Sequence, residues 1–226
     1  MISSRQDYLY YLEADRIALS IPVRYSWPER VRRILQPDYL WLFQKNLRKL
    51  EYYKNCKQGV FSRIPRFMLS RKHSRLSLKL GFSIPVNTFG PGLAIAHYGT
   101  IIVNERARIG ANCRLHACVN IGTEAGYSHL VPTIGDNCYI GPGAKIFGNI
   151  VIPNCTAIGA NAVVNRSFDQ ENTAIAGVPA AKIADIDIFD LLIPATIVIE
   201  KGLNKLEFSG LSARELKSLM KADVSA

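Results

Sequence analysis

The chain has 226 residues, 48% of them apolar and 20% charged, a balance that suits a soluble globular protein of one or two domains and excludes a disordered one. Its five cysteines (Cys56, Cys113, Cys118, Cys138, Cys155) are odd in number and include no C-x-x-C pair, so neither a disulfide framework nor a zinc site is expected. The net charge of +10 is uneven: residues 1–80 hold 17 Lys/Arg against 6 Asp/Glu, while the remainder is nearly neutral.

The first residues, "MISSRQDYLYYLEADRI", lack an apolar signal core, so a cytoplasmic protein is expected. Residues 1–80 read as a basic α-helical segment. "SWPERVRRIL" offers Ser26 as a helix N-cap with Glu29 three residues on, and "DYLWLFQKNLRKLEYY" spaces aromatics and leucines at helical intervals. The aromatics are read as packing residues, and no nucleic-acid motif accompanies the positive charge. That charge points to an anionic surface such as a membrane face.

After Gly81 the period becomes six. Aliphatic or aromatic residues fall at Phe89, Ile95, Ile101, Ile109, Leu115, Ile121, Ile134, Ile140, Ile146, Ile152, Ile158 and Val164, often followed by a small residue such as Gly110, Gly135 or Gly141. Each hexad makes one flat parallel strand with its aliphatic side chain inward, and the small residue lets the chain turn a corner. Three such sides close a coil, so these positions predict four stacked coils of a β-helix over residues 81–184. The repeat is interrupted between Ile101 and Ile109 and again between Ile121 and Ile134, where "YSHLVPT" (127–133) leaves a corner as a loop carrying His129. Residues 185–226 are expected as a short helical extension; their apolar run "LLIPATIVI" is too short to span a bilayer.

Three stretches within residues 85–184 resemble the hexapeptide-repeat acyltransferases, in their serine acetyltransferase-like branch. "HYGTIIVNE" (97–105) resembles the segment that carries the family's histidine, "IGPGAKIFGNI" (140–150) its glycine-rich coil, and "AIAGVPAAKI" (174–183) its terminal motif. The resemblance implies a left-handed parallel β-helix, a homotrimer with active sites between subunits, acetyl-CoA as co-substrate and no metal. It also implies His97 as the catalytic base. An acceptor hydroxyl must lose its proton as it attacks a thioester, and a positioned imidazole can take it. Glu105 and His129 are candidate acceptor-binding residues. Gly141, Gly143 and Ala160 are candidates to lie against the pantetheine arm, with Lys145 and Lys182 as candidates to meet CoA phosphates.

The sequence departs from the serine-specific enzymes in two places. Ala96 and Phe82 stand where those enzymes carry aspartates, one to grip the ammonium of serine and one to orient the imidazole; Ser83 is a weak substitute for the second. This departure, with the basic flank, gives the expectation of a saccharide acceptor, a cell-surface polysaccharide or its lipid-linked precursor. Peripheral membrane contact is then expected through residues 1–80. Serine O-acetyltransferase and a catalytically silent β-helix scaffold are the alternatives.

Overall fold

The computed structural model describes residues 1–203 and 211–222; residues 204–210 and 223–226 of the expected C-terminal extension lie outside the described residues. Four helices come first: α1 (Arg5–Ala18), α2 (Trp27–Leu35), α3 (Tyr39–Cys56) and α4 (Arg63–Leu80). Their starts follow local chemistry. Ser4 Oγ accepts from the Asp7 amide at 3.0 Å, the Ser26 amide donates to the Glu29 carboxylate at 2.9 Å, and Asp38 accepts from the Trp41 amide at 3.0 Å. α4 ends on Gly81 at φ +78°, a left-handed turn that feeds the chain into the first strand.

Fourteen short strands then wind around a triangular prism. Its first face stacks β1 (Phe82–Ser83), β3 (Ile101–Val103), β6 (Asn120–Gly122), β9 (Lys145–Phe147) and β12 (Val163–Val164). The second holds β4 (Arg108–Ile109), β7 (Thr133–Ile134) and β10 (Val151–Ile152), with Phe89 bridging to Ile109. The third holds β2 (Ala94–Ile95), β5 (Arg114–Leu115), β8 (Tyr139–Ile140), β11 (Thr156–Ile158) and β13 (Thr173–Gly177), and is closed by the antiparallel β14 (Ala180–Asp185). All other pairings are parallel.

The hexad positions stack as expected, Ile109 on Ile134 on Ile152, Leu115 on Ile140 on Ile158, and Ile121 on Ile146 on Val164. Every one of the twelve is at most 4% exposed, so the repeat supplies the prism's core directly. Close coil-to-coil approach explains the glycine that follows: a Cβ on Gly110 would lie 2.7 Å from the carbonyl carbon of Gly135. Other corners use left-handed asparagines, Asn112, Asn137 and Asn161, with Asn112 Nδ2 donating to Asn137 Oδ1 at 2.9 Å. The cysteines are free thiols, and Cys113 and Cys138 are buried in consecutive coils.

The helices dock on the open end of the prism. Phe43 and Leu47 of α3 and Leu76 and Leu80 of α4 share one core with the coils. The backbone edge of the first coil is satisfied by side chains in place of a further strand: Gln44 donates to Leu93 O at 2.7 Å and accepts from the Ile95 amide at 3.2 Å. Asp15 Oδ1 accepts from the Gly92 and Leu93 amides, and fully buried Arg48 binds Asp15 at 2.8 Å and Glu51 at 3.0 Å while donating to the carbonyls of Phe89 and Gly90. After β14 the chain forms α5 (Ala195–Glu200) and α6 (Ala213–Ala222). Ile193, Ala195, Val198 and Leu216 pack there against Ala14, Ile17 and Ala18 of α1 and against Ala94 of the prism. Among the described residues no helix is long and apolar enough to cross a membrane.

Candidate active site

His97 follows β2 at the corner where the third face turns into the first. Ile95 fills the inward position, which leaves the His97 ring exposed. Stacking along this corner is set by register. The Ala96 amide donates to Leu115 O, the His116 amide to Ile140 O and the Gly141 amide to Ile158 O, so Ala96, His116 and Gly141 succeed one another up the edge. Gly143 and exposed Ala160 belong to the same edge, since the Gly143 amide donates to Ala117 O and the Asn161 amide to Pro142 O. The structure therefore brings His97, Gly141, Gly143 and Ala160 into one line. A Cβ on Gly141 would lie 2.7 Å from Ile158 O, so its lack of a side chain also serves coil stacking.

The two candidate lysines are engaged within the chain. Lys145 Nζ donates to Cys118 O at 2.5 Å, and Lys182 Nζ binds Gln170 Oε1 at 2.8 Å and Asp185 at 2.6 Å. Glu105 and His129 lie elsewhere, at the corner between the first and second faces. Glu105 is an exposed residue just after β3, and His129 sits in the exposed loop after β6, its ring edge-on to Tyr127 at 6.2 Å. The width of the first face separates them from His97 within one chain.

His97 makes no hydrogen bond among the described residues, and its neighbour is the His116 ring, 6.0 Å away between centroids. Phe82 is turned into the core, edge-on to Phe43 at 5.0 Å, and Ser83 makes no hydrogen bond to His97. His116 in turn lies 4.9 Å from the Tyr139 ring, and its Nε2 is buried without a hydrogen-bond partner. Burial, then the charges of Arg114 and His97, lower its pKa to about 4, so this ring stays neutral near pH 7.

Sequence reasoning missed the cavity beside this corner. It encloses about 540 Å³ between the third face and the C-terminal extension, with Ala96, Arg114, His116 and Tyr139 on the prism side and Asp190 and Ser212 among the residues opposite. The signal was present in part, because Arg114 and His116 flank the inward Leu115 and must both point outward. What covers them comes from residues distant in sequence. Among the described residues no cluster of three or more His, Cys, Asp or Glu is arranged to hold a metal.

The chain is similar to serine acetyltransferases of known sequence and structure. It is 37% identical over 119 residues to the enzyme of Staphylococcus epidermidis, covering 50% of this chain and 54% of that one, and 39% identical over 98 residues to the enzyme of Staphylococcus xylosus. The chain thus spans about half the length of the curated relatives it matches. Among solved structures, serine acetyltransferase from Brucella abortus in complex with coenzyme A superposes with a TM-score of 0.62 at 25% identity, over 80% of this chain and 70% of that one. The soybean apoenzyme superposes with a TM-score of 0.57 at 25% identity, over 80% of this chain and 69% of that one. No family model matches the chain.

Fold and repeat together define a left-handed parallel β-helix with a helical N-terminus. The chain is similar to the serine acetyltransferases among the hexapeptide-repeat acyltransferases. These matches correct the expectation of a saccharide acceptor and of a role in polysaccharide biosynthesis, because the relatives are named serine acetyltransferases. The physical reason for the error is local: the case against serine rested on positions 82 and 96 and on the basic flank, whereas a charged cavity borders the same corner.

Proposed function

We propose that this chain is an acetyl-CoA-dependent serine O-acetyltransferase with His97 as its general base. The observation that carries the reading is the placement of His97, exposed at a prism corner, beside a cavity and at the foot of an edge of small residues. His97 takes the proton from the serine hydroxyl as the oxygen attacks the thioester carbonyl carbon. Collapse of the tetrahedral intermediate breaks the C–S bond, and the imidazolium returns its proton to the departing CoA thiolate, leaving O-acetylserine and CoA.

Gly141, Gly143 and Ala160 offer the thioester arm a flat path to His97. Lys145 and Lys182 reach CoA phosphates in this reading only by exchanging their present partners, Cys118 O and Asp185. A homotrimer completes the site, because Glu105 and His129 lie across the first face from His97 of the same chain and meet a histidine only from a neighbouring copy. The basic, exposed α2 provides peripheral contact with an anionic membrane face.

The test is release of CoA thiol from acetyl-CoA by the purified protein with and without L-serine. Serine-dependent release is expected, and His97→Asn should lower kcat by roughly 10²-fold or more without changing the oligomer's mass. Serine-independent release would count against serine as the acceptor, and absent release would leave the inert scaffold as the better reading.

A further inference from the structure

The wall of the cavity beside His97 carries a guanidinium that is unpaired among the described residues. Arg114 forms no hydrogen bond or ion pair through its side chain among the described residues, yet it is half-buried in the wall. A guanidinium in that position gives up hydration without a return, and its planar fork is shaped for a bidentate carboxylate. Its position is also informative. Arg114 on β5 and His116 just after it flank the inward Leu115, and His116 borders Ala96 and the His97 ring. Neutral His116 adds a partnerless ring nitrogen but no competing charge.

We propose that this cavity is the acceptor subsite, in which Arg114 grips the carboxylate of an amino-acid acceptor and so directs its hydroxyl toward His97. The assignment rests on the serine acetyltransferase reading. It moves recognition of the acceptor from its ammonium, which Ala96 leaves without the family's aspartate, to its carboxylate. Ala96, which lines the cavity, is the chain neighbour of His97. Asp190 stands on the wall formed by the C-terminal extension, held by Lys217 at 2.6 Å, so the cavity carries charge of both signs, as a zwitterion requires.

The experiment compares L-serine with L-serinamide, which keeps the hydroxyl and the ammonium but lacks the carboxylate. The unmodified protein should favour serine by roughly 10- to 100-fold in kcat/KM, the range of a charge-assisted pair. Arg114→Gln should abolish that preference, chiefly through the KM for serine, with the KM for acetyl-CoA unmoved; Arg114→Lys should recover part of it. Equal handling of the two acceptors by the unmodified protein overturns the assignment whatever the variants do. So does an Arg114→Gln variant that keeps the preference, or one that loses both acceptors in parallel, as a merely structural residue would. Absence of transfer to either acceptor overturns the acetyltransferase reading itself, and this subsite with it.

Discussion

His116 carries a proton-linked cost that the fold accepts. Burial first, then Arg114 and His97, place its pKa at about 4, against an ordinary 6.5 in the unfolded chain. Between those values the unfolded chain takes up a proton that the folded chain refuses, so stability falls as pH drops from 6.5 toward 4. His73, half-buried and stacked on Phe43, is shifted in the same direction by desolvation and adds to the same slope. Replacing His116 with Phe should therefore flatten the decline in melting temperature across this window, while leaving the melt near pH 8 little changed. Parallel pH profiles for the variant and the unmodified protein would contradict the linkage. His97 was legible in the sequence because it falls in a motif. His116 was not, because its meeting with His97 depends on the eight-residue interval between Ile101 and Ile109 being absorbed at a corner, which only the stacked coils reveal.

Among the elements, α2 stands apart because none of its residues is buried. Trp27, Val31, Ile34 and Leu35 fall on one face at helical spacing, and three of them are 77–78% exposed, while Arg30, Arg32 and Arg33 outnumber the single acidic residue, Glu29, on the rest of the helix. The start of the next apolar stripe is equally bare, with Phe61 98% and Ile64 75% exposed beside Arg63 and Arg66. A surface of like positive charge opposes its own copies and suits anionic lipid, where each basic residue contributes about 1 kcal/mol and each inserted large apolar side chain about 1.5–3 kcal/mol. The protein should sediment with phosphatidylcholine vesicles containing phosphatidylglycerol, less so at raised salt, with a blue shift of Trp27 emission in a Trp41→Phe background. Ile34→Glu with Leu35→Glu should weaken binding by roughly 100-fold. Indifference to these substitutions, or equal binding to pure phosphatidylcholine, would count against the contact. The capping box that starts α2 could be read from Ser26 and Glu29, but its exposure could not, since an amphipathic pattern announces a partner without saying whether the chain itself supplies it.

At the scale of the whole molecule, the prism was legible because one residue type repeats at one period and each inward side chain meets its own kind in the next coil. The join between helices and prism was not. Arg48 read as one more positive charge in a basic segment, whereas it is fully buried, and the Asp15 and Glu51 carboxylates keep it charged against the burial that would strip its proton. Asp15 and Arg48 bind the backbone of residues 89–93, the unpaired edge of the first coil, so the ion cluster stands where a further strand would otherwise be needed. Losing it strips both layers at once. Arg48→Met leaves two buried carboxylates without their cation and two carbonyls without a donor, a change that costs about 3–5 kcal/mol. For a chain of this size that is a fall of roughly 6–20 °C in melting temperature. Because Phe43, Leu47, Leu76 and Leu80 belong to the same core as the coils, the loss should appear as one earlier transition, coincident by tryptophan emission, which reports on α2 and α3, and by calorimetry, which reports on the whole chain. An Arg48→Met melt indistinguishable from that of the unmodified protein would show that the cluster adds nothing to the join. Two separated transitions in the unmodified protein would show that the helices and the prism unfold independently.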